Sequence, residues 1–114
     1  MKILRFEDIV AWQKGKELTI ILYKLLKENR DFCFKDQILR AVVSICNNIA
    51  EGFERRSNKE IKQFFFNAKG SAGEVRSMLY VALELGYISQ TEFEKLQSLT
   101  LDIGRLLSGF IKTL

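Results

Sequence analysis

Histidine is absent from the 114-residue chain. That removes Ser-His-Asp and Cys-His triads, histidine general bases and histidine-ligated metals together. Carboxylates, hydroxyls, thiols and cations remain. Glu51, Glu54, Glu60, Glu74 and Glu84 are the carboxylates worth testing for acid-base or metal chemistry. If Glu51 faced Glu74 across a bundle, the pair could hold magnesium for a hydrolase or nuclease. Di-iron bundles rely on Glu-x-x-His pairs, which this chain cannot supply. The plainer role for Glu51 is to neutralise Arg40 or Arg55. Gly70-Ser71-Ala72-Gly73 lacks the Gly-x-Ser-x-Gly spacing of a nucleophile elbow and the Lys-Ser/Thr ending of a phosphate loop. It reads instead as a place where another helix backbone approaches closely. No catalytic residue, cofactor or metal is assigned, and the expectation is a protein that is not an enzyme. Cys33 and Cys46 lie among Phe32, Phe34, Ile45 and Ile49 and are expected to be buried free thiols.

Charge carries more information. The chain has a net charge of +4. Between Arg55 and Gly73 stand five basic residues, Arg55, Arg56, Lys59, Lys62 and Lys69, against the single acid Glu60. This segment alone equals the surplus of the whole chain. Lys59 and Lys62 are one helical turn apart, and Lys69 follows Lys62 by seven residues, on the same face. A strip of this kind suits phosphates, whose binding is electrostatic and salt-dependent. The competing reading is that lysines merely solubilise an exposed helix. No recognised base-reading module is present.

A second polar pattern runs along the preceding segment. Gln37, Arg40, Ser44, Asn48, Glu51 and Arg55 recur at steps of three and four beside the apolar line Ile38, Val42, Ile45 and Ile49. A polar column next to a core face has to be paired or placed at a subunit contact. Phe64, Phe65 and Phe66 are successive, so they spread over roughly 200° of a helix. One core stripe does not absorb them all. Phe66, with Met78, Tyr80 and Val81, forms a surplus that points to a homo-oligomer interface.

The elements that must position these groups are helices. Proline is absent and 47% of residues are hydrophobic, which suits one helical domain over residues 1–114. After a lead-in over residues 1–6, the first helix is capped by Asp8 and carried by Ala11, Gly15, Leu18, Leu22 and Leu25 to near Glu28. Ile9, Trp12, Ile21 and Leu26 widen its stripe. Phe32-Cys33-Phe34 forms an aromatic joint, and the second helix spans about Lys35 to Glu54. Ser57 with Glu60, and Ser89 with Glu92, are capping boxes that start the third and fourth helices. The third runs over Asn58–Leu85 on Ile61, Phe65, Ala68, Ala72, Val75, Leu79 and Ala82, and Gly86 suits the position just past its end. The fourth is carried by Phe93, Leu96, Leu99, Ile103, Leu106, Leu107 and Phe110. Short joints make consecutive helices antiparallel. The expected fold is an all-α, up-down-up-down antiparallel four-helix bundle. No apolar run reaches bilayer length, and Lys2, Arg5, Glu7 and Asp8 break any leader-like start, so a cytoplasmic protein with no membrane association is expected.

The stretch Gln37-Ile38-Leu39-Arg40-Ala41-Val42-Val43-Ser44-Ile45-Cys46-Asn47-Asn48-Ile49-Ala50-Glu51-Gly52-Phe53-Glu54-Arg55 closely resembles the signature of the small bacterial bundle proteins encoded in intervening sequences of 23S ribosomal RNA genes. Phe6-Glu7-Asp8-Ile9-Val10-Ala11-Trp12-Gln13 resembles that family's start. Gly70-Ser71 with Glu74, and Leu85-Gly86-Tyr87-Ile88, resemble its third helix and following turn. The resemblance implies a four-helix bundle assembled as a ring-like pentamer, with Arg40, Asn48, Glu51 and Arg55 as structural or subunit-contact positions. More distantly the chain is similar to the accessory proteins of diversity-generating retroelements, which associate with nucleic acid and a reverse transcriptase. The family usually carries a proline before its second helix, whereas Phe32-Cys33-Phe34-Lys35 has none. Together these readings favour an oligomeric RNA- or DNA-binding bundle. A protein-interaction adaptor is the alternative.

Overall fold

A computed structural model describes residues 3–114. The part of the lead-in expected at Met1 and Lys2 lies outside the described residues. The helices are α1 (Val10–Leu25), α2 (Phe32–Phe53), α3 (Asn58–Glu84) and α4 (Gln90–Lys112). Each packs on two neighbours, α1 on α2 and α4, α3 on α2 and α4, which is the square arrangement of an up-down-up-down bundle. The bundle measures 43 × 23 × 19 Å. No described helix is long and apolar enough to cross a membrane.

The core follows the helical stripes. Leu18 and Leu22 of α1, Ile38, Val42, Ile45 and Ile49 of α2, Phe65, Val75 and Leu79 of α3, and Ile103 and Leu107 of α4 are fully buried. Each contributes about 1.5–3 kcal/mol by leaving water. The α2–α3 crossing depends on Gly52. A Cβ there would stand 2.7 Å from Phe64 Cβ and 3.1 Å from two ring carbons of Phe65, so a side chain would force the helices apart. Phe65 also meets Phe110 of α4 with ring centroids 4.8 Å apart. Leu106, expected in this core, is 37% exposed, and α4 instead turns Gln97 and Thr100 inward. Thr100 tolerates burial because its hydroxyl donates to the Leu96 carbonyl at 2.7 Å.

Two starts differ from expectation. Asp8 does not cap α1. Phe6–Asp8 form one turn of 3-10 helix and Ile9 takes the cap position. The Ile9 N–H closes that turn on the Phe6 carbonyl at 2.9 Å, and the Gln13 side-chain amide donates to the Glu7 carbonyl at 2.8 Å. Burial of Ile9 to 3% exposure selects this geometry over side-chain capping.

The second difference is larger. α1 ends at Leu25, before Glu28, and the supposed joint Phe32-Cys33-Phe34 is the first turn of α2. Asp31 caps it by accepting from the Phe34 N–H at 3.2 Å. Its other carboxylate oxygen accepts from the Tyr87 hydroxyl at 2.6 Å, while the Phe34 and Tyr87 rings meet edge-on at 5.3 Å. The Tyr87 bond, with the cap, holds the Asp31 carboxyl below its usual range, and the same bond pushes the Tyr87 phenol up. A contact across 56 residues therefore fixes this proline-free corner. Cys33, carried on this turn, is exposed and Cys46 is half-buried, so the expectation of two buried thiols is corrected, although both are free.

The later boundaries agree closely with the sequence. Ser57 accepts from the Glu60 N–H at 3.2 Å, but Glu60 returns to the Ser57 hydroxyl rather than to backbone. Ser89 and Glu92 form the complete reciprocal box. Gly86 adopts φ +75°, the left-handed conformation that lets the chain leave α3 sharply.

Candidate nucleic-acid interface

The α2–α3 corner gathers three of the expected cations. Arg55, Arg56 and Lys59 are exposed there, with Lys62 half-buried and Lys69 exposed further along α3. They are not equivalent. Arg55 lies 3.4 Å from Glu51 and its guanidinium sits 4.6 Å from the Phe64 ring centroid, which holds it against the bundle. Arg56, Lys59, Lys62 and Lys69 make no ion pair among the described residues. The single acid between Arg55 and Lys69, Glu60, accepts from the Ser57 hydroxyl at 3.0 Å. The positive end of α3 adds to the same field.

The polar column is only partly enclosed. Ser44 and Asn48 are half-buried, whereas Gln37, Arg40, Glu51 and Arg55 are exposed. Ser44 and Ser71 join α2 to α3 through a hydroxyl–hydroxyl bond, and the Asn48 amide donates to the Ser44 carbonyl at 2.8 Å. Gln37, Arg40 and Ser44 line a cleft of about 570 Å³ with Cys33, Asp36 and Glu74. Glu74 thus stands opposite Arg40. Glu51 lies toward the Gly52–Phe64 crossing, about 15 Å away along the helix axes. The Glu51–Glu74 pair considered for magnesium is not assembled. Among the described residues no group of three or more His, Cys, Asp or Glu is placed to hold a metal.

The surplus apolar residues also separate. Phe66 and Val81 are exposed on the outward face of α3, at 48% and 46%. Met78 is half-buried against the core. Tyr80 is 54% exposed but leans toward α4, where its ring lies 5.2 Å from that of Phe93.

A feature missed in the sequence lies between α3 and α4. Lys69 and Arg76 on α3, with Arg105 and Lys112 on α4, line a groove of about 490 Å³ that has no carboxylate in its wall, although Arg105 is paired from outside the wall with Asp102 at 3.5 Å. Gly73, Gly104, Ser108 and Gly109 form much of the remaining surface. Each helix repeats its cations seven residues apart, Lys69 to Arg76 and Arg105 to Lys112. That spacing was the available signal. It acquires meaning only once the antiparallel register brings the two rows together.

Fold and surface therefore define a small antiparallel helical bundle with a cationic side and no assembled metal cluster among the described residues. The chain belongs to the 23S rRNA-intervening sequence protein family, whose model matches residues 7–109. Among solved structures it is similar to a protein with unknown function from the S23 ribosomal protein family of Bacteroides thetaiotaomicron, determined at 1.70 Å. The two are 27% identical, the match covers 90% of this chain and 98% of that chain, and the TM-score is 0.84. No curated protein matches.

Proposed function

We propose that the chain acts in the cytoplasm as a non-enzymatic homo-oligomeric bundle that binds the phosphate backbone of structured RNA or DNA. The observation that carries this reading is that Arg56, Lys59, Lys62 and Lys69, on one side of the bundle, make no ion pair among the described residues, while Glu60 is hydrogen-bonded to Ser57. An oligomer would repeat the strip and thereby raise avidity. The outward face of α3, with Phe66 and Val81, is the surface we assign to subunit contact. A ring-like pentamer is the assembly the family resemblance suggests.

Lys59→Glu tests the strip at an exposed position. It weakens binding to unrelated sequences alike and makes the salt slope on duplex DNA shallower by about 0.9 per phosphate contact removed. Unchanged affinity at low salt would remove the strip from the proposal. The adaptor reading gives the same exposed Phe66 and Val81 to a different protein, in competition with self-association. It requires a protein partner whose complex resists high salt.

A further inference from the structure

The α3–α4 groove does not end at its cations. Arg76 and Arg105 also line an adjoining cleft of about 350 Å³, whose wall includes Tyr80, Phe93 and Gln97. The two concavities thus share a pair of guanidiniums and lie side by side along the α3–α4 seam. At one end stand Lys69 and Lys112, in a wall without acids. At the other stand the Tyr80 and Phe93 rings, with Tyr80 more than half exposed. Glu94 belongs to that second wall and accepts from the Gln90 amide at 3.0 Å. An anion is therefore favoured at the lysine end and disfavoured at the aromatic end.

Gln97 supplies an independent observation. It is 8% exposed, and its Nε2 donates to the Arg76 carbonyl at 3.2 Å. Its Oε1 is buried with no hydrogen-bond partner among the described residues. A buried amide oxygen left open is uncommon and costly in a folded protein. Here it belongs to a residue that lines the cleft beside Tyr80, and a ligand N–H satisfies it once the side chain turns outward.

We infer that this seam binds an unpaired stretch of nucleic acid. Successive phosphates lie along Lys69, Lys112, Arg76 and Arg105, and a base at the aromatic end stacks on Tyr80 beside Gln97. The inference rests on the proposed function and adds to it a site for an unpaired segment of the bound nucleic acid. A cationic track joined to an exposed aromatic ring is the combination that single strands use, because every base offers a face for stacking. A duplex keeps its bases stacked on one another and has no face to give Tyr80. The heptad pairs place like charges about 10 Å apart along each helix, so the seam spans only a few nucleotides.

Fluorescence anisotropy tests this with labelled, unstructured oligouridine and with a labelled RNA duplex of the same length, using the full chain in its native oligomeric state. We expect the single strand to bind more tightly. Arg76→Gln combined with Arg105→Gln lowers its affinity tenfold or more and makes the salt slope shallower by roughly 1.4, two single-strand phosphate contacts. Tyr80→Ala weakens the single strand at least fivefold and the duplex hardly at all, whereas Tyr80→Phe retains binding. Thermal unfolding confirms that each variant is folded. Full binding by the arginine pair, with loss in Arg56→Gln combined with Lys59→Gln, overturns the seam and leaves the corner strip standing. A duplex preference unaffected by Tyr80→Ala also overturns the seam. Absence of binding by the wild type to either probe at low salt overturns both.

Discussion

Replacing Gly52 with alanine is the sharpest test of how the bundle is held. In an isolated helix the change stabilises by about 0.8–1 kcal/mol, because glycine is the poorer helix former. In this fold the added Cβ meets Phe64 Cβ at 2.7 Å and the Phe65 ring at 3.1 Å. The first contact cannot be relieved by a rotamer change, since a Cβ moves only with its backbone. Overpacking of this kind costs about 1–3 kcal/mol, and the rigid partner places Gly52 at the upper end. The net expectation is a loss of about 1–2 kcal/mol. Urea unfolding followed by helical circular dichroism reads it as a midpoint lowered by about 0.5–1 M, with a slope near 2 kcal/mol/M. Gly104→Ala is the control, because a Cβ there meets nothing within 4 Å. It should stabilise by about 0.5–1 kcal/mol. A Gly52→Ala protein as stable as the wild type would refute the account of the α2–α3 crossing.

Three further outcomes follow from local geometry. Asp31 has a lowered carboxyl pKa, so its contribution is present above the ordinary carboxylate range and lost as pH falls through the depressed value; Asp31→Asn, which keeps a cap and an acceptor, should flatten the acid limb of a stability–pH profile. Ser89→Ala removes a complete capping box and should cost about 1 kcal/mol, more than Ser57→Ala, where the reciprocal backbone bond is absent; urea midpoints of the two variants decide the order. Cys33 should react with a thiol reagent at once in the folded protein, whereas Cys46, whose thiol is pushed up to about 11 by burial, should react slowly until unfolding; mass spectrometry of partially labelled protein distinguishes the two.

The parts of the fold governed by neighbours in sequence were readable from it. Ser57, Ser89 and Gly86 mark the ends of α3 and α4 because capping and left-handed turns act within a few residues. The start of α2 was missed although the Asp31 cap is local; what the sequence could not show is the Tyr87 hydroxyl that reaches the same carboxylate across 56 residues. The same division runs through the surface. The corner cations are visible as a dense run between Arg55 and Lys69. Arg76, Arg105 and Lys112 are widely spaced on two helices, so their meeting with Lys69 depends on the α3–α4 register. Leu106 shows the reverse error, because a helix of 23 residues carries more apolar positions than one buried face accepts.

The most direct measurement of the functional account is a binding titration of purified, nuclease-treated protein against structured RNA and duplex DNA, from about 50 to about 300 mM salt, with oligomeric mass recorded on the same sample. The account predicts a multimer whose affinity falls steeply and linearly on a log–log plot, by about 0.9 in slope for each duplex phosphate contacted. An intact multimer that binds neither nucleic acid even at the lowest salt would contradict it and transfer the function to a protein partner.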